Sequence, residues 1–134
     1  MKLKDFDFRI WDNHHIGCSN RDCKCKITKY VYGEVAKIRL LEFKEDCDIE
    51  LWTWFVDKNN QRIYEGDILK RGVRKYLVRY VEDESGLEIA ELSNEGYVFF
   101  VSEICNELEI IGNIHENTNL LPKSLKKKMK ISYM

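Results

Sequence analysis

Ile63-Tyr64-Glu65-Gly66-Asp67-Ile68 reads as two short extended runs joined by a bend. Gly66 supplies a backbone conformation that a Cβ would obstruct, and Asp67 can accept a hydrogen bond from a neighbouring backbone N–H in such a turn. Immediately before it, Asp57-Lys58-Asn59-Asn60-Gln61 carries turn chemistry, with Asn where the left-handed conformation is tolerated. The aromatic-rich run Leu51-Trp52-Thr53-Trp54-Phe55-Val56 precedes that turn and reads as a strand. After the bend, Asp67–Lys70 begins a further strand that stops before Gly72. Arg74–Val81 then alternates Tyr76, Val78 and Tyr80 with Leu77, Arg79 and Val81. Leu87–Leu92, Tyr97–Val101 and Leu108–Ile114 complete the series, separated by Glu82-Asp83-Glu84-Ser85-Gly86 and Asn94-Glu95-Gly96. Short strands with frequent turn signals are the pattern of a small barrel or sandwich.

Toward the N-terminus, Phe6, Phe8 and Ile10 share one face of a half-buried strand that Asp12-Asn13 breaks. Residues 14–26 are polar and read as a loop. Residues 27–47 are ambiguous. Ile27 and Tyr30–Tyr32 suggest a strand ending at Gly33, and Ala36, Ile38 and Leu40 alternate with Lys37 and Arg39. Val35, Ile38 and Leu41 also fit a helical stripe, which periodicity over so short a run does not exclude. The reading adopted is strand.

The bulk numbers agree with one small globular protein. The chain has 134 residues, of which 44% are hydrophobic and 34% charged, and it carries a net charge of −1. That charge gives no bulk attraction to nucleic acid or an anionic membrane. No run approaches the roughly 18 apolar residues that span a bilayer. Met1–Asp7 has no apolar signal-peptide core. The five cysteines, Cys18, Cys23, Cys25, Cys47 and Cys105, are an odd number, so reduced thiols in a cytosol are expected.

Three separated segments together carry a family resemblance. Asp57–Leu69 resembles the D-x-x-G/N-x-x-I-Y-E-G-D-I/V hallmark of the YopX family of phage and prophage proteins. Phe8-Arg9-Ile10-Trp11-Asp12 resembles that family's F-R-x-W-D opening, and Glu109–Asn117 with Leu120-Leu121 is similar to its V-I-G-N-I-x-E-N-x-x-L-L close. The resemblance covers about residues 6–121. It implies a mainly β protein with a small SH3-like β-barrel, and it brings no catalytic residues. The expected organisation is therefore a single domain over 1–121, with a barrel core at about 51–116 and an N-terminal β extension. A short basic tail over 122–134 completes it.

Each chemical motif stands beside a plainer reading. His14, His15, Cys18, Cys23 and Cys25 offer imidazole and thiolate ligands of the kind zinc prefers, and Cys47 could join them only through the fold. Their spacing is not that of a common finger, so a polar loop with incidental thiols is expected, with no metal and no cofactor. Glu65 and Asp67 could act as paired carboxylates, but the bend gives Asp67 sufficient structural work. Trp52, Trp54, Tyr64, Tyr76, Tyr80, Tyr97, Phe99 and Phe100 could stack on single-stranded nucleic acid, though strand aromatics more often fill cores. Lys123, Lys126, Lys127, Lys128 and Lys130 form what reads as the one local basic patch. No hydrolase triad, phosphate loop or HExxH motif is present. The expected function is a non-enzymatic interaction module that binds a protein partner or itself as a homo-oligomer, without a membrane. The alternative is nucleic-acid binding by the lysine tail and the barrel aromatics. An enzyme assembled only in the fold is a third and weaker reading.

Overall fold

The structure, a computed structural model, describes residues 1–15, 28–81, 86–91, 97–99 and 106–121. It is mainly β, with curled antiparallel sheets and little helix. In chain order the strands are β1 (Phe8–Trp11), β2 (Tyr30–Tyr32), β3 (Asp48–Val56), β4 (Arg62–Tyr64), β5 (Asp67–Arg71), β6 (Arg74–Val81), β7 (Gly86–Glu91), β8 (Tyr97–Phe99) and β9 (Glu109–Asn113). One α-helix, α1 (Gly33–Ile38), follows β2, and a 3-10 turn over Leu40–Glu42 follows α1. The chain forms two compact units, Met1–Trp52 and Thr53–Met134.

In the first unit β1 lies between β2 and β3, antiparallel to both. Phe8 and Ile10 point to one face and pack with Ala36 of α1, joined by Val31, Phe43 and Cys47. The strand expected through residues 36–40 is replaced by α1 and the start of the 3-10 turn. Gly33 adopts a positive φ of 55° where the chain leaves β2, and Glu, Ala and Lys then favour helix. The methyl group of Ala36 is fully buried in this cluster, so the helix is fixed by one small residue. The stripe that periodicity offered, Val35, Ile38 and Leu41, faces solvent instead.

In the second unit the last residues of β3 pair with β4, and five strands run in the order β8-β7-β6-β5-β9. Thr53 Oγ1 donates to the Ile63 carbonyl at 2.7 Å and accepts the Phe55 N–H at 3.2 Å. Trp54 between them has a φ of +72°, a strained conformation for a bulky residue, which interrupts the strand's alternation. The pair β5–β6 is buried on both faces. Leu69, Tyr76 and Val78 join Ile63 and Leu108 in one cluster, while Ile68 and Leu77 join Ile114 and Leu121 in another. A bulge between Ile68 and Leu69 in the β5–β9 pairing lets β9 follow β5 on both sides of that change.

Candidate functional site

The residues of the central motif hold backbone in place. Asp57 Oδ1 accepts the N–H groups of Asn59 and Gln61, both at 2.9 Å, and its Oδ2 accepts Ile110 N–H at 3.1 Å. One buried carboxylate thus closes the β3–β4 turn and ties it to β9. Asn60 in that turn has a φ of +62°, the left-handed position its residue type suits. Gly66 has a φ of +88°; its N–H donates to the Val78 carbonyl and its own carbonyl accepts from Ile114 N–H. Asp67 is buried and its Oδ2 accepts Tyr64 N–H at 2.8 Å. Its carboxylate has the structural role expected of it, beside a half-buried Glu65.

The closing motif works the same way. Asn113 Oδ1 accepts the N–H groups of His115 and Glu116, while Asn117 Oδ1 accepts Asn113 N–H. These side chains shape the turn that follows β9.

The opening motif contains a feature that alternation alone did not reveal: Arg9 is buried. Its Nε donates to Glu50 Oε1 at 2.7 Å, and Tyr30 Oη donates to the same oxygen at 2.8 Å. The guanidinium lies 4.2 Å from the centre of the Tyr30 ring. Trp11 packs edge-on against Tyr30 with ring centres 5.0 Å apart. β1 therefore has one apolar face and one face that buries a charge pair. A sequence signal existed in the Arg–Tyr–Glu residue types, but their partnership depends on strand register.

The turn after β1 contains His14 and His15 of the candidate ligands, with Cys47 beside it. His14 Nε2 lies 2.6 Å from Asp46 Oδ1, and the hydrogen bond holds the Asp46 carboxyl below its ordinary pKa. Cys47 Sγ donates to Asp12 Oδ1 at 3.6 Å; burial, then the charge of Asp12, pushes the thiol pKa upward. His15 Nε2 is buried without a hydrogen-bond partner among the described residues. Cys18, Cys23, Cys25 and Cys105 lie outside those residues. Among the described residues no three His, Cys, Asp or Glu side chains are grouped to hold a metal ion.

Of the proposed stacking aromatics, Tyr64 and Tyr76 are buried in the core. Trp52 is half-buried and Trp54 is exposed, while Phe100 lies outside the described residues, as does the lysine tail. No helix among the described residues is long and apolar enough to cross a membrane.

Among the described residues of the first unit, exposed apolar side chains gather on α1 and the 3-10 turn. Ile38 is 80% exposed and Leu41 99%, with Val35 and Leu40 exposed beside them. The charges interleaved with these side chains are paired locally. Lys37 Nζ lies 3.5 Å from Glu34 and donates to the Leu3 carbonyl at 2.9 Å, while Arg39 Nε donates to Glu42 at 2.9 Å. The segment presents apolar side chains among neutralised ones, which suits contact with another protein surface.

No curated protein matches the chain. The YopX protein family matches over residues 7–122, a span that contains the charge pair of β1, the Asp57–Asp67 junction and the Asn113–Asn117 turn. That match covers most of the sequence, and the chain belongs to the YopX family.

Proposed function

We infer that this protein is a non-enzymatic interaction module of a phage or prophage, working in the bacterial cytoplasm and binding a protein surface, a second copy of itself included. The observation that carries this reading is the exposed apolar stripe Val35, Ile38 and Leu41 on a segment whose own charges are paired. Burial of such side chains on association is favourable at about 25 cal/mol per Å² of apolar surface removed from water. The non-enzymatic part of the reading is supported by the work the motif carboxylates already do. Asp57 and Asp67 hold backbone N–H groups, and Glu50 holds Arg9 and Tyr30. The strand order β8-β7-β6-β5-β9 and the bulge in the β5–β9 pairing support reading the second unit as an SH3-like barrel core.

The test is light scattering across a concentration series, paired with a photo-crosslinker placed at position 41 in the producing cell. The wild type is expected to gain mass with concentration or to give a discrete crosslinked protein. Ile38→Asp combined with Leu41→Asp should abolish either signal while leaving the fold intact. A strict monomer that crosslinks to nothing would end this reading.

A further inference from the structure

We propose that the β5–β6 hairpin tip, Lys70-Arg71-Gly72-Val73-Arg74-Lys75, is a basic ribbon that binds the groove of duplex DNA. The strand register creates the surface. Lys70 lies opposite Lys75, and Arg71 lies opposite Arg74. Like charges directly across an antiparallel pair are destabilising, so a tip whose only role was solubility would mix signs. Here four of six residues are cationic, all are exposed, and no acid interrupts them.

The ribbon also extends past its neighbours. Pairing with β9 reaches only as far as Lys70, opposite Glu109, and pairing with β7 begins at Tyr76, opposite Glu91. Arg71–Lys75 is therefore two-stranded among the described residues. The change of chemistry falls at the same place. On one face the core pair Leu69 and Tyr76 is followed by Arg71 and Arg74; on the other, Ile68 and Leu77 are followed by Lys70 and Lys75. Gly72 has a φ of +61° and starts a tight two-residue turn, which leaves Val73 at the tip 96% exposed.

Cations on both faces select the partner. A flat anionic surface would meet one face and leave the other pair unused. The major groove of B-form DNA admits a two-stranded ribbon and places a phosphate wall on each side of it. The deep, narrow major groove of A-form RNA does not admit one. Val73 would reach the groove floor, where apolar contact with a thymine methyl is available. The nearest acids on β9 and before it are accounted for: Glu107 pairs with Arg71, and Glu109 pairs with Lys58. Lys70 and Lys75 have no ion-pair partner among the described residues. On β7 the acid nearest the tip is Glu91, opposite Tyr76, a single acid against the four cations. The acidic run at 82–84 begins after Val81, roughly 23 Å along β6 from Arg74 at about 3.3 Å per residue. That is more than two Debye lengths at physiological salt, about 8 Å each. The basic patch expected in the tail thus has a second, structurally fixed counterpart within six consecutive residues, Lys70–Lys75.

Fluorescence polarisation of the full chain with labelled duplex DNA, the matching duplex RNA and anionic phospholipid vesicles tests the proposal. Three phosphate contacts predict roughly a 40-fold loss of DNA affinity between about 50 and about 200 mM salt. The triple variant Lys70→Gln, Arg74→Gln, Lys75→Gln should bind at least about tenfold more weakly at low salt and lose most of that salt slope. Its thermal unfolding should match or exceed the wild type, because like-charge repulsion is removed. Replacing Lys126, Lys127 and Lys128 with Gln should leave DNA binding in place. Absence of DNA binding at low salt, a preference for duplex RNA or vesicles, or loss of binding in the tail variant but not in the hairpin variant would each overturn the proposal.

Discussion

Gly112 and Asn117 are packed so closely that a Cβ at position 112 would stand 2.5 Å from Asn117 Oδ1. That oxygen is the acceptor for Asn113 N–H, so the glycine makes room for the hydrogen bond that closes the turn after β9. Gly112→Ala is expected to destabilise the protein by about 1–3 kcal/mol, the usual range for overpacking. Urea unfolding of the single variants and of Gly112→Ala with Asn117→Ser should show non-additive losses, since both act on one contact.

Asp57 supplies acceptors to three backbone N–H groups that lie as far apart as Asn59 and Ile110. Asp57→Ala leaves three part-buried donors without their shared acceptor and should cost about 1.5–3 kcal/mol, the range for hydrogen bonds to a charged group. Asp57→Asn keeps one acceptor oxygen and should fall between the two. Amide hydrogen exchange offers the local check: protection at Ile110 should drop with protection at Gln61.

Arg9 and Glu50 are both nearly inaccessible, at 3% and 2% exposure. Removing one charge strands the other, so Arg9→Met should cost about 3–5 kcal/mol. The paired change Arg9→Met with Glu50→Leu should recover much of that loss, because two well-packed apolar side chains replace a desolvated pair. Denaturant midpoints of the wild type and these two variants decide the matter; a double variant as unstable as Arg9→Met alone would contradict it.

Cys47 is expected to be a slow nucleophile. Burial and the neighbouring Asp12 carboxylate both disfavour its thiolate, so its alkylation midpoint should lie above that of a free thiol. Asp12→Asn should bring the midpoint down only part of the way, since burial is the larger cause. Rates of iodoacetamide labelling against pH test this in a variant whose Cys18, Cys23, Cys25 and Cys105 are serine.

Much of the fold was legible because its signals are local. The positive φ of Asn60 and Gly66 and the Asp67 bond to Tyr64 N–H involve residues within a few positions of each other, and turn chemistry names them directly. The strands from β3 to β9 followed from alternation between such turns. The segment after β2 was misread because a six-residue helix with one buried alanine has almost no periodic signature.

The sequence by itself determined the antiparallel β character, the family and the structural work of the Gly66–Asp67 bend. Tertiary structure alone decided which charges are buried and which are massed. Arg9 and Glu50 are 41 residues apart, and Asp57 and Ile110 are 53 apart, so no local pattern pairs them. Across the hairpin the cations are neighbours in the chain, and what the fold adds is the register that sets lysine against lysine and arginine against arginine. Turn geometry depends on the dihedral preferences of adjacent residues, whereas the energy of a charge depends on what the folded chain brings within a few ångströms of it.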